Sequence, residues 1–223
     1  MFFKKSHYNN KLMNKMINKP PIFWQKAKKS LSNKDKKLSK IIESYPQDFL
    51  FSKSDPFFTL ARSIVGQQIS VKAAQSVWDR LEIKIKKIKP EIILKTHSST
   101  LKSVGLSRQK VNYLKNLSNA FMGGKIKLNM WDKLNDEEII QDLIQIKGIG
   151  RWTAEMFLIF NLCRADIFPL DDIGMIKGIC KLYDLPYPIK REALIRIGEK
   201  WKPYRSVATW YLWRTLDPIP VEY

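Results

Sequence analysis

The chain has 223 residues, of which 40 are Lys or Arg and 21 are Asp or Glu, so its formal net charge at pH 7 is +19. This excess favours a polyanionic partner, with nucleic acid as the first candidate and a membrane surface as the second. No apolar run reaches the length that a membrane span needs. Two cysteines, Cys163 and Cys180, are too few for a disulfide framework, a four-cysteine zinc site or an iron–sulfur cluster; we expect buried free thiols.

The beginning of the chain is strongly basic. Residues 1–40 contain twelve lysines and one acidic residue, Asp35. Residues 1–20 are predicted to form a mobile basic arm, with a solvated tail as the alternative, and residues 21–223 a helical domain. The N-terminus has no apolar signal core, so we expect an intracellular location, in the cytoplasm and nucleoid or, in a eukaryote, the nucleus.

From Ile22 onward, apolar residues recur with the period of an α-helix. Asp55 before Pro56, and likewise Ser70, Ser107 and Asn135, are typical residues at helix starts. The predicted helices begin near residue 23 and then cover residues 55–64, 70–81, 107–121, 135–144, 151–163, 172–182, 191–201 and 206–216. Residues 81–85 alternate between apolar and polar side chains and form a weak strand candidate. The pattern predicts an all-α protein with two helical lobes around a cleft.

Two of these helices are joined by a short hairpin, residues 145–150, which contains Gly148-Ile149-Gly150. Glycines allow a tight turn and a close approach by another molecule. Free backbone N–H groups at the start of the following helix can bind a phosphate, and Arg151 can reach one too. The alternative is an ordinary turn between two helices, since glycine is common where helices end.

A pair of carboxylates, Asp171 and Asp172, stands at the predicted start of a later helix. One of them is expected to cap the helix, because an aspartate accepts hydrogen bonds from its first N–H groups. Capping does not require two. A carboxylate in a nucleic-acid cleft can stabilise the positive charge that develops on a sugar when a glycosidic bond breaks, or can activate the attacking water.

The segment Leu143–Ile176 resembles the helix-hairpin-helix DNA glycosylase superfamily, in which such a hairpin is followed by a catalytic aspartate. Within it, residues 66–70 (GQQIS), 148–154 (GIGRWTA), 171–172 (DD) and 201–206 (WKPYRS) resemble the 3-methyladenine DNA glycosylase II branch. The resemblance covers about residues 50–216. It implies that Asp172 is the catalytic residue. Where the bifunctional members have a lysine after the hairpin, this chain has Trp152, which cannot form a Schiff base.

The resemblance further implies a monofunctional enzyme that releases alkylated purines such as 3-methyladenine and 7-methylguanine and leaves an abasic site. Trp152, Trp213 and Met156 would line the base pocket, where an indole face attracts a cationic base. Met156 stands where some relatives have tyrosine, so the range of bases stays open. Gln68, or Ile69 beside it, would fill the gap that the extruded base leaves in the duplex.

For DNA binding, the resemblance and the hairpin pattern together point to one set of residues: Gln68, Ile69, Lys147, Gly148, Ile149, Gly150, Arg151 and Arg205. The resemblance also implies that the backbone carbonyls of Ile144, Ile146 and Ile149 bind a structural Na⁺ or K⁺, and no other cofactor is expected. The expected partner is double-stranded DNA with damaged bases, bound by a monomer. Two other functions stay open: a non-catalytic protein that binds damaged DNA, and a glycosylase for another lesion.

Overall fold

The computed structural model of the protein describes residues 19–50, 52, 55–124, 126 and 128–217, without the side chains of Asn129 and Asp132. These residues form twelve α-helices and one 3₁₀-helix (Leu128–Lys133), and no strand. The α-helices are α1 (Trp24–Lys34), α2 (Lys36–Ser44), α3 (Pro56–Gly66), α4 (Val71–Ile85), α5 (Pro90–Lys95), α6 (Ser98–Ser103), α7 (Arg108–Met122), α8 (Asp136–Ile144), α9 (Arg151–Phe160), α10 (Ile173–Tyr183), α11 (Arg191–Glu199) and α12 (Arg205–Arg214). The predicted all-α class is confirmed.

Four helices begin at the caps that the sequence predicts. Asp55 accepts a hydrogen bond from the third residue of α3, and Pro56 opens that helix. Ser70 and Ser107 cap α4 and α7 in the same way. Asn135 and Glu138 form a reciprocal capping box at the start of α8. These local bonds satisfy N–H groups that a helix cannot satisfy internally, so the residues next to each start determine where these four helices begin.

Other boundaries depart from the prediction. The strand candidate, residues 81–85, is wrong, because it forms the last turns of α4. Helix α9 ends at Phe160, before Cys163, whose backbone has a positive φ of 49°. Cys180 is buried as expected, whereas Cys163 is partly exposed. The sequence did not predict α2, α5 and α6; the last two have six residues each, too few for a helical period to show.

The helices form two lobes that share one apolar core. In the first lobe, α3 packs against α4, α7 and α9, and α5 and α6 pack against α7. In the second lobe, α12 packs against α10 and against α1 and α2 from the beginning of the chain. The rings of Trp24 and Trp210 meet edge to face at 5.4 Å across that contact. The N-terminal helices therefore support the C-terminal lobe.

None of the described helices is long and apolar enough to cross a membrane. Of the predicted basic arm, residues 1–18 lie outside the described residues.

Candidate active site and nucleic-acid interface

A cavity of about 260 Å³ opens between the two lobes. It is bounded by α3, α4, the turn between them and α9 from the first lobe and by α10 and α12 from the second. The residues around it are Arg62, Gly66, Ile69, Val71, Ala74, Trp152, Met156, Phe160, Asp172, Gly174, Trp210, Trp213, Arg214, Leu216 and Asp217. The three predicted pocket residues, Trp152, Met156 and Trp213, thus meet the predicted catalytic residue, Asp172, in one place.

Asp172 is fixed by three hydrogen bonds from N–H groups. One carboxylate oxygen, Oδ1, accepts from the Met175 backbone N–H at 2.5 Å and from the Trp213 indole at 2.8 Å. The other, Oδ2, accepts from the Trp152 indole at 2.8 Å. The residue is only 8% exposed. Both oxygens are therefore oriented by neutral donors, and the carboxylate is shielded from bulk water at the wall of the cavity.

The neighbouring Asp171 has a different environment. Its carboxylate forms an ion pair with Arg191 at 2.8 Å, and its side chain is 58% exposed. The sequence suggested that one aspartate caps the helix while the other does chemistry. In the structure Asp172 does the capping of α10 and is also the one that faces the cavity.

Two further residues at the cavity, Phe160 and Gly174, were not predicted from the sequence. The Phe160 ring stacks on Trp213 at 5.5 Å between centroids and 11° between planes. A Cβ atom on Gly174 would lie 3.1 Å from the Trp213 ring and 3.2 Å from Asp172 Oδ1. Glycine at this position therefore lets the indole approach the carboxylate closely. Neither residue belongs to a recognisable local pattern, so only the packing of α9, α10 and α12 reveals them.

The two hairpin glycines serve different needs. Gly148 has a φ of +111°, and a Cβ there would lie 2.3 Å from the ring of Tyr113, so both backbone and packing require glycine. Gly150 caps α9 with a φ of −95°, and a Cβ there would meet nothing within 4 Å. Gly150 is exposed, and no side chain caps the first turn of α9. The helix start is open to an anion from outside.

The structure corrects the prediction for Ile149. Its backbone N–H donates to the Ile146 carbonyl at 2.9 Å inside the hairpin, so this N–H group is already used. Its side chain is buried in the core. Ile149 therefore shapes the hairpin, and the exposed residues around it, Lys147 and Gly150, are left to face a ligand.

The predictions for Arg151 and Arg205 also need correction, because both guanidinium groups are engaged within the protein. Arg151 binds both oxygens of Glu137, at 2.9 and 2.7 Å, and its Nε donates to Glu155 at 3.1 Å. Arg205 binds both carboxylate oxygens of Asp166 at 2.9 Å. These charge-assisted pairs hold each arginine on a neighbouring element, so neither is a free phosphate ligand in this structure.

The turn between α3 and α4, residues 67–70, is named the wedge turn below. Gln68 has a left-handed backbone with a φ of 58°, which places it at the exposed tip of the turn. Ile69 is 41% exposed and borders the cavity. Of the two candidates for filling the duplex, Ile69 thus lies at the edge of the cavity, and Gln68 is exposed beside it.

Glu155 is a buried acid that the sequence analysis passed over. It lies on α9, is 5% exposed, and its Oε2 has no hydrogen-bond partner in the described part of the chain. Burial raises the pKa of its carboxyl to about 7; Arg151 opposes this rise, and the negative charges of Asp171 and Asp172 add to it. A glutamate inside the apolar run of α9 was the available signal.

The expected cation ligands, Ile144, Ile146 and Ile149, all lie at the end of α8 or in the hairpin. The Ile146 carbonyl already accepts the Ile149 N–H, and a carbonyl oxygen has a second lone pair for a cation. Among the described residues there is no cluster of three or more His, Cys, Asp or Glu side chains that could hold a metal ion.

Comparisons with known proteins agree with this geometry. Residues 61–203 match the family described as HhH-GPD superfamily base excision DNA repair protein. The chain is 34% identical over 197 residues to DNA-3-methyladenine glycosylase 1 of Schizosaccharomyces pombe, covering 85% of this chain and 86% of that protein.

Two solved structures are similar to this one. The S. pombe 3-methyladenine DNA glycosylase in complex with abasic DNA superposes with a TM-score of 0.78 at 35% identity, over 85% of this chain and 96% of that chain. A DNA-3-methyladenine glycosidase from Bacillus halodurans gives 0.70 at 33% identity, over 85% and 88%. The two-lobed helical fold, the hairpin and these matches together show that the chain belongs to the HhH-GPD superfamily of base excision DNA repair proteins.

Proposed function

We propose that the protein is a monofunctional DNA glycosylase that hydrolyses the N-glycosidic bond of alkylated purines in double-stranded DNA and leaves an abasic site. The observation that carries the proposal is the Asp172 carboxylate at the wall of a cavity, oriented by the indoles of Trp152 and Trp213. The names of the relatives, 3-methyladenine glycosylases in yeast and bacteria, support the same reaction class.

The chemistry follows from the charge that appears during bond cleavage. As the bond between C1′ and the base breaks, the sugar takes on oxocarbenium character, and a negative charge beside it lowers the barrier. Asp172 supplies that charge from a site shielded from water, where electrostatic interactions are strong. The same carboxylate can take a proton from the water that attacks C1′.

The pocket suits a positively charged base. N3- and N7-alkylated purines are cationic, which already weakens the glycosidic bond and reduces the need for a general acid. Trp213 and Trp152 border the cavity, and an indole ring attracts a cation. The buried Met156 adds a polarisable, adaptable wall. We propose that this combination selects alkylated purines by charge more than by a fixed set of hydrogen bonds.

Hydrolysis without strand cleavage is supported by the composition of the cavity. A lyase step needs an amine that attacks the sugar and forms a Schiff base. The residue after Arg151 is Trp152, and none of the described residues that border the cavity is a lysine. The expected product is therefore an abasic site in an intact strand.

The proposed DNA interface combines the hairpin with the wedge turn. Lys147 and the open start of α9 at Gly150 would hold a phosphate, and the hairpin carbonyls of Ile144, Ile146 and Ile149 would hold a monovalent cation beside it. Gln68 or Ile69 would enter the duplex where the base leaves. A net charge of +19 supplies the long-range attraction for DNA, and we propose that one copy of the chain acts alone.

The decisive experiment measures the release of 3-methyladenine, 7-methylguanine, ethenoadenine and hypoxanthine separately from duplex DNA. We expect release of the two methylated bases, with strand breaks only after alkali. Tight binding of an abasic site with no release from any substrate would mean a damage-binding protein instead. Release of only an uncharged lesion, or strand breaks without alkali, would contradict the proposal.

A further inference from the structure

Gln67, the first residue of the wedge turn, connects this turn to the hairpin. Its side-chain amide Nε2 donates to the Gly148 carbonyl at 2.9 Å and to the Thr153 hydroxyl at 3.0 Å. These partners lie more than 80 residues away along the chain, one in the hairpin and the other on α9. Both bonds therefore join the wedge turn to elements that are distant from it in the sequence.

Helix α7 contacts both the end of α3, which leads into the wedge turn, and the hairpin. Lys110 donates to the Val65 carbonyl at the end of α3 at 2.7 Å. Asn116 donates to the Lys147 carbonyl of the hairpin at 3.2 Å, and the ring of Tyr113 closes against Gly148. Residues 110, 113 and 116 share one face of α7, since they are three apart. Helix α7 is therefore bonded both to the end of α3, which leads into the wedge turn, and to the hairpin, and Gln67 bonds the turn to the hairpin directly.

We propose that Gln67 is a positioning residue for base extrusion: it sets the distance between the wedge turn and the phosphate-binding hairpin. This inference rests on the proposed function. Extrusion needs a backbone phosphate held at the hairpin while a side chain of the wedge turn fills the vacated space. The two contacts act together only when their separation matches the DNA, and a hydrogen-bonded link keeps that separation fixed.

Gln67 also reaches the catalytic side of the cavity. Thr153 follows Trp152, whose indole orients Asp172. Thr153 is 2% exposed, so the bond from Gln67 is formed inside the protein and is protected from competing water. A shift of the wedge turn is thereby resisted at the helix that carries Trp152.

The test uses Gln67→Met, which keeps the length and approximate volume of the side chain and removes both donors. Single-turnover base release is compared on two duplexes that carry the same methylated base. In one duplex the base is paired normally, and in the other it lies opposite an abasic site in the complementary strand. In the second duplex the base is already unpaired, so extrusion costs less. We expect an about tenfold slower release from the paired duplex, the size of one or two lost hydrogen bonds, and less than threefold from the unpaired one.

Thr153→Val removes one of the two acceptors and is expected to show the same split with a smaller loss. Gln25→Met, on the exposed face of α1, carries the same substitution away from the cavity and is expected to behave as wild type. Thermal melting of all variants accompanies the assay. Equal slowing on both duplexes, or no slowing at all, would overturn the positioning role.

A second readout separates this inference from the proposed function. The fluorescence of 2-aminopurine placed beside the lesion rises when the neighbouring base leaves the stack, whether or not a bond is then broken. Wild type is expected to raise this signal, and Gln67→Met to raise it less at saturating protein. If wild type raises the signal but releases no base, the glycosylase proposal fails while the positioning role stands. If Gln67→Met raises the fluorescence as much as wild type does, the positioning role is overturned.

Discussion

Replacement of Asp172 by asparagine is the sharpest test of the proposed chemistry, because it removes the charge and keeps the shape of the side chain. An asparagine with its oxygen at the Oδ1 position keeps the bonds from Met175 and Trp213. Its amide nitrogen then faces the indole N–H of Trp152, where two donors meet. One hydrogen bond of three is lost, and a buried donor without a partner costs about 1–3 kcal/mol in stability.

The loss in rate is expected to be larger than the loss in stability would suggest. Two opposite unit charges about 4 Å apart attract by about 4 kcal/mol at an effective dielectric constant near 20. The charge on the sugar is only partly developed in the transition state, so a fraction of this energy is lost with the carboxylate. We expect a fall in the single-turnover rate of roughly 10²- to 10³-fold, as for the removal of other preorganised electrostatic groups.

The matched control is Asp171→Asn. It makes the same chemical change one residue earlier, at a side chain that is 58% exposed and pairs with Arg191 on the surface. Such exposed pairs contribute about 0.2–1 kcal/mol, and the site is not at the cavity wall, so the rate is expected to stay within about twofold of wild type. Release of 7-methylguanine from methylated duplex is the assay. Equal rates for Asp172→Asn and wild type, or an equal fall in both variants, would refute the reasoning.

Three further outcomes are expected. Gly148→Ala strains a positive φ and places Cβ 2.3 Å from a tyrosine ring, so this variant is expected to have a lower melting temperature. Gly150→Ala is expected to melt as wild type does but to bind duplex DNA more weakly in a titration. The pKa of the Glu155 carboxyl is raised from 4.5 to about 7 in the folded protein. Because the unfolded chain loses this proton at lower pH than the folded protein does, the free energy of unfolding is expected to fall as pH rises from about 4.5 to 7. In denaturant titrations at each pH, Glu155→Gln is expected to remove this fall in the free energy of unfolding, which amounts to roughly 3 kcal/mol at most. Lys147→Ala lowers the slope of log affinity against log salt by about one, while Arg205→Ala, which loses an internal ion pair, leaves the slope unchanged and lowers the melting temperature. An unaltered slope in the lysine variant, a flat pH profile in wild type, or tolerance of alanine at 148 would each contradict the structural argument behind it.

The features predictable from the sequence are those encoded by neighbouring residues. Helix caps at Ser70, Ser107 and Asn135 depend on bonds within four residues, and they appear where expected. The hairpin and the pair Asp171-Asp172 were found in the same way, because each is a short pattern at a helix end; the choice of Asp172 within the pair came from the family resemblance. The all-α class followed from the apolar period, which long helices show clearly.

What the sequence could not give are the contacts made between helices. Arg151 and Arg205 read as phosphate ligands because the sequence does not show that Glu137 and Asp166 are placed against them by the packing of other elements. The partners of Gln67 lie more than 80 residues away, so its role was invisible beside the wedge turn. In each case the identity of a polar residue was clear while its partner depended on the tertiary fold.

The partners of Asp171 and Asp172 support the assignment of the proposed catalytic role to Asp172 rather than to its neighbour. Asp48, Asp166 and Asp171 each form an ion pair with an arginine, which offsets the negative charge. Asp172 has no ion pair within the described residues, and its three bonds come from neutral N–H groups. Neutral donors fix the direction of a carboxylate without cancelling its field. A guanidinium at the same position would orient the group equally well but would oppose a positive sugar. We therefore propose that the two tryptophans do more than line the cavity: they hold Asp172 in place and leave its charge available to the proposed reaction.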